Sequence, residues 1–175
     1  MAPRKSVQNT RFAKQIRALH GALIDIVSVI NRPQRDEAMI REAGIPLDRA
    51  LFPLLVGIER FGPIGVVEMA DRAGRDYTTV SRQVAKLESL GLVERREGAA
   101  DRRVREAVVT AKGKAMTDRV DAARERLGRV IFESWEPQDI DELVRLTRKF
   151  ADAVKEEPTT DGAEAAKSAE RRERS

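Results

Sequence analysis

Residues 77–96 read YTTVSRQVAKLESLGLVERR, and the spacing within that run decides the fold. Val80, Val84, Leu87 and Leu90 recur every three or four positions, the period that buries one side of a helix. The other side carries Thr78, Thr79, Ser81, Arg82, Gln83 and Lys86, which offer hydrogen-bond donors to bases and phosphates. The helix ends at Gly91 and runs directly into a basic strand. One helix therefore packs inward and reads outward, the arrangement of a DNA-reading helix followed by a wing.

Working outward on the N-terminal side, Asp76 stands at the N-cap position, where its carboxylate accepts from the first free backbone N–H groups. Before it, Val66, Val67, Met69, Ala70 and Ala73 predict a short helix that Gly74 ends, and two helices joined by a glycine turn make a helix-turn-helix. Gly62, Pro63 and Ile64 predict a turn and a minimal strand. A helix is expected over 47–61, begun by Pro46, with Pro53 either bending it or marking its first turn. The segment 32–46 has no clear pattern. Over 12–30, Phe12, Ile16, Leu19, Leu23, Ile26, Val27 and Ile30 predict a long amphipathic helix that stops near Pro33.

On the C-terminal side, 92–96 and 104–109 have strand composition and bracket EGAADRR, which suits a hairpin tip. Two further helices follow beyond Lys112, one through Met116, Val120, Leu127, Val130 and Ile131, the other through Ile140, Leu143, Val144, Phe150 and Val154, separated at Pro137. After Pro158 the only apolar residues are alanines, too little surface to offset the entropy of ordering, so the tail is expected to be disordered. With six acidic and four basic side chains over 156–175, it does not suit a DNA-gripping arm. The expected organisation is an N-terminal arm and dimerisation helix (1–46), a winged helix-turn-helix (47–111), C-terminal dimerisation helices (112–157) and a tail (158–175). The fold class is mainly α with a small β-wing.

The chain of 175 residues has a formal charge of only +4. Between Arg72 and Arg105 nine Arg or Lys face five Asp or Glu, so this segment alone carries the whole excess of four. Charge localised in this way is a nucleic-acid footprint. With no cysteine there is no disulfide framework, thiolate metal site or cysteine-based peroxide sensor. The start, MAPRKSVQNTRF, lacks the apolar run of a secretory signal, and no segment has a membrane-spanning length without charge. A soluble, cytoplasmic protein is expected.

The run 64–114 resembles the MarR family of bacterial transcriptional regulators: a helix-turn-helix, SRQVAKLESLGLVERR, a wing with Asp-Arg-Arg, then VVTAKG, in that order. The resemblance implies a triangular homodimer whose first and last helices interlock and whose winged helices address successive major grooves of an inverted repeat in double-stranded DNA. It assigns Thr78, Thr79, Ser81, Arg82 and Gln83 to bases or nearby phosphates and Lys86 to the backbone. Arg82 pairs well with guanine and Gln83 with adenine. The family's Asp-x-Arg maps onto Asp101 and Arg103, flanking Arg102, and aims an arginine at the minor groove, where narrow A·T-rich DNA concentrates negative potential. Arg95, Arg96 and Arg105 are candidates for phosphate contacts. Repressors are the commoner members.

The resemblance also implies a small aromatic or anionic effector between dimerisation helices and winged helix. His20, Phe52, Phe61 and Trp135 are candidates to line that cleft, although aromatics on apolar stripes are more often core. One histidine and no cysteine disfavour metal- and oxidation-sensing variants. No Ser-His-Asp set, phosphate loop or dinucleotide fingerprint is present, so neither catalysis nor a cofactor is expected. The alternative function is a winged-helix module that binds protein instead of DNA.

Overall fold

The helix expected over 12–30 is α1, Arg4–Ile30, in a computed structural model that describes residues 4–98 and 103–156. It starts earlier than its apolar stripe because nothing in residues 4–11 breaks a helix. The patternless segment holds a helix of its own, α2 (Pro33–Ala43), with a proline in its first turn. Its C-terminal carbonyls are claimed from a distance in sequence: Arg119 donates to Gly44 O, and Arg126 donates to both Glu42 Oε1 (2.7 Å) and Glu42 O (2.9 Å). Guanidinium groups at that end also suit the helix dipole.

The helix expected over 47–61 is shorter, α3 (Phe52–Phe61), and Pro53 occupies its first turn without bending it. Asp48 explains the late start. Its Oδ1 accepts from Ala50 N at 2.7 Å and its carbonyl accepts from Leu51 N, a local turn that competes with helix. Strand β1 (Ile64–Gly65), helix α4 (Val66–Ala73) and helix α5 (Tyr77–Ser89) follow as the sequence pattern predicts. The wing strands are β2 (Val93–Glu97) and β3 (Arg105–Val109), one residue later at their starts than expected. The three strands form an antiparallel sheet in the order β1-β3-β2, with Ile64 opposite Ala107 and Arg95 opposite the same residue from the other side. Helices α6 (Ala111–Ile131) and α7 (Pro137–Lys155) complete the described chain.

By contacts the chain divides into two compact units, Met1–Leu127 and Gly128–Ser175. The core of the first is built from Leu54, Leu55 and Ile58 of α3, Val80, Val84 and Leu87 of α5, Ile64, Val93 and Ala107 of the sheet, and Val120 and Ala123 of α6. Full burial of each Leu, Ile or Val side chain is worth about 1.5–3 kcal/mol, so the reading helix is fixed mainly by its inner face. Leu90 departs from the expected stripe: it is the C-cap residue of α5 and stays partly exposed, while the buried period continues through Leu92. At Gly91 the chain adopts φ 71°, a left-handed conformation that a side chain would strain. That residue turns the helix into the wing.

Candidate nucleic-acid interface

Asp76 starts the reading helix as the sequence predicts, its Oδ1 accepting from Thr79 N at 2.8 Å. Hydrogen bonds from the Thr79 hydroxyl and amide hold its carboxyl below the ordinary carboxylate range. Thr78, Arg82 and Lys86 are exposed, and Ser81 is half-buried. Arg82 makes no hydrogen bond or ion pair among the described residues, so its fork of donors is open to solvent.

Gln83 is placed differently from the other polar residues of α5. It is half-buried, and its Nε2 donates to Ala50 O at 3.1 Å, tying the reading helix to the turn before α3. Its Oε1 is buried without a partner. The cause lies in the helical period, because position 83 flanks the buried stripe through Val80, Val84 and Leu87.

An open groove of about 620 Å³ separates the reading helix, the start of α4 and the wing, and brings together Ser81, Arg95, Arg103 and Arg105. Thr78, Thr79, Arg82, Gln83 and Lys86 lie outside its lining. The three guanidinium groups share this groove with the carboxylates of Glu68, Asp71 and Glu106, so it is not uniformly basic. Arg95 is half-buried, 3.4 Å from Glu88 Oε2, and Arg96 is held by Glu94. Both wing arginines are thus oriented by neighbouring carboxylates. Asp101 and Arg102 lie outside the described residues. Arg103 and Arg105 are exposed at the root of β3.

Two features escaped the sequence pattern. Tyr77, the first residue of α5, is exposed and lines the groove beside Ser81. The other is the physical content of VVTAKG. Thr110 Oγ1 donates to Gly91 O at 2.7 Å and accepts from Gly113 N at 3.1 Å, so one hydroxyl caps α6 and grips the end of the reading helix. Lys112 Nζ donates to Leu90 O at 2.8 Å. Gly113 lies so close to Leu92 that an added Cβ would stand 2.0 Å from Leu92 O. The Thr-x-Lys-Gly spacing clamps the C-terminus of α5 to the first turn of α6, a signal visible in sequence only once the strand register is known.

The aromatic ligand candidates separate. Phe52 is buried in the core at 6% exposure, so it lines no cleft; its place in the first turn of α3 puts it on that helix's inner face. His20 is exposed on α1. Phe61 is partly exposed under the guanidinium groups of Arg60 and Arg72. Trp135, in the second unit, meets Phe132 edge to face at 5.2 Å. Among the described residues no cluster of His, Asp or Glu could hold a metal ion, and no helix is long and apolar enough to cross a membrane.

A two-helix turn with a capped, outward-polar second helix and a three-stranded wing defines a winged helix-turn-helix protein. Residues 48–109 match the family model described as HVO_A0114. The uncharacterized HTH-type transcriptional regulator YxaD of Bacillus subtilis (strain 168) is 30% identical over 110 residues, covering 61% of this chain and 77% of the relative. The structure of a MarR family protein from Bacillus stearothermophilus aligns with a TM-score of 0.66 at 22% identity, covering 82% of this chain and 98% of that one. The crystal structure of MarR aligns with a TM-score of 0.61 at 26% identity, covering 75% and 90%. The chain belongs to the MarR family of DNA-binding transcriptional regulators, and it is not an enzyme.

Proposed function

We propose that this regulator is a homodimeric repressor that acts in the cytoplasm, reads an inverted repeat in double-stranded DNA, and is released by a small aromatic or anionic effector. The observation that carries the DNA reading is the two-sided character of α5: Val80, Val84 and Leu87 are completely buried, while Arg82 is exposed and makes no polar contact among the described residues. We assign Arg82 to a guanine, Thr78, Ser81 and Thr79 to bases or nearby phosphates, and Lys86 to a phosphate. Gln83 reads adenine only by giving up its bond to Ala50, so Arg82 ranks first. Following the Asp-x-Arg motif of Asp101 and Arg103, we assign Arg103 to the minor groove and Arg102, Arg95 and Arg105 to DNA contacts beside it. The exposed stripes of α1 and α7 support pairing with a second copy.

Selection from random duplex DNA, followed by titration of the winning sequence at two salt concentrations, tests this reading. An enriched inverted repeat with half-sites about one helical turn apart, bound with a steep salt slope, is expected. Arg82→Ala should cost about 1–3 kcal/mol at that sequence and relax preference at one base pair per half-site. Weak binding to every sequence, unchanged by Arg82→Ala, would instead favour a protein-binding winged helix.

A further inference from the structure

Tyr77 is the first residue of the reading helix, and its side chain lines the groove of about 620 Å³ between that helix and the wing. It is 55% exposed and makes no side-chain hydrogen bond or ring contact among the described residues. Ser81 follows one helical turn later, on the same face of α5, and lines the same groove. Arg82, the residue assigned to a guanine, lies outside that lining, whereas Arg103, the residue assigned to the minor groove, lies within it.

The shape of the duplex decides what passes between those two arginines. Major and minor grooves are separated by a sugar–phosphate strand, so a helix in one groove and a wing in the next straddle that strand. The space between α5 and the wing is where the strand must lie. Its charges nearly cancel: Arg95, Arg103 and Arg105 share the groove with the carboxylates of Glu68, Asp71 and Glu106. Arg95 is also drawn to Glu88 at 3.4 Å, while Glu68 is answered by Arg72 at 2.8 Å. In such a groove net charge holds a backbone strand poorly, and hydrogen bonds to phosphate oxygens, which neutral hydroxyls donate well, must do more. Tyrosine reaches farther than serine, on a rigid ring with only two side-chain torsions to immobilise.

We infer that Tyr77 holds the DNA strand that separates the two contacted grooves, its hydroxyl donating to a phosphate oxygen. The inference rests on the DNA reading above and adds to it a contact that residue type alone does not suggest. A phosphate contact fixes the register of the helix on the duplex and carries no base preference, so Tyr77 sets affinity where Arg82 sets sequence.

The test uses the full chain and the duplex it enriches from random DNA. Tyr77→Phe removes one oxygen from an exposed ring, so its melting temperature should match that of the wild type. Its affinity for the duplex should fall at least about fivefold, the scale of a hydrogen bond to a charged group. The same factor should apply to every single-base variant of the duplex, and the salt slope should not change, because a neutral hydroxyl displaces no counterion. The decisive arm replaces phosphates one at a time with uncharged methylphosphonates. At one position in each half-site, between the base pair assigned to Arg82 and the minor groove assigned to Arg103, the replacement should weaken the wild type at least about threefold more than it weakens Tyr77→Phe. Undiminished affinity of Tyr77→Phe overturns the inference. So does a loss confined to one base pair and reproduced in the wild type by uracil in place of thymine there, which would make Tyr77 a reader of a base methyl. A scan in which no methylphosphonate couples to Tyr77 overturns it as well. A wild type that enriches no sequence and binds every duplex weakly fails the DNA reading itself, whereas these results with an intact wild-type preference remove only the role of Tyr77.

Discussion

The reading head and the α7 arm carry apolar periodicity of similar clarity, and only one of them is buried by the described residues of its own chain. In the head, Leu55, Val80, Val84 and Leu87 are all 0% exposed. Along α7 no residue is buried, and Leu143, Val144, Leu146, Phe150 and Val154 remain exposed. Helix α1 shows the same condition at Phe12, Ile16, Leu19 and Ile26. Isolated helices gain little from propensity alone and depend on burying an apolar face, so these stripes call for a surface that the head does not need. Two kinds of apolar surface thus stand in one chain, one closed within the head and one left open on the arms, which we propose a second copy covers.

The largest expected effect breaks the second kind. Leu146→Asp with Phe150→Asp should leave the head folded and dissociate the protein, lowering operator affinity by about 100-fold or more as the two half-sites lose their linkage. Sedimentation velocity and operator titration check this together, and a variant that stays dimeric at full affinity would place the interface elsewhere.

A smaller effect is expected inside the head. Gly113→Ala puts a methyl group 2.0 Å from Leu92 O, backbone that cannot swing aside, so α6 must shift away from the end of α5. Urea unfolding should show a loss of about 1–3 kcal/mol, the usual cost of overpacking. DNA affinity should fall too, because the same turn holds Leu90 and Gly91 through Lys112 and Thr110. Loss of stability without loss of affinity would mean that the clamp does not position the reading helix.

The smallest effect concerns the cap. The Asp76 carboxyl titrates below its ordinary 3.8, so its contribution to stability is complete above that pH and is lost as the pH falls through the lower folded value. Asp76→Asn keeps a capping oxygen but no charge, and its melting temperature should follow that of the wild type except for a weaker decline below pH 3.8. Parallel curves over that range would remove Asp76 as a contributor.

Much of the head was legible because its signals are local. Gly74, Asp76 and Gly91 punctuate the chain, and the period of Val80, Val84 and Leu87 points one way. What escaped depends on contacts distant in sequence. Helix α2 has a weak stripe and is secured by Arg119 and Arg126 of α6, which no reading of 33–43 reveals. The expected start of α3 failed at Asp48, whose side chain captured the turn. Within the candidate site, Gln83 looked like its neighbours by residue type, and its bond to Ala50, far back in the sequence, sets it apart. Phe52 was indistinguishable from Phe61 until burial separated them.

On the proposed function, a head complete in itself reads DNA only as a pair joined by the arms. Analytical ultracentrifugation of the protein with a duplex carrying the full inverted repeat, against one carrying a single half-site, tests it most directly. Two chains on the full site and markedly weaker binding to the half-site are expected. One chain bound to each half-site with equal affinity, independent of the neighbouring half-site, would contradict it.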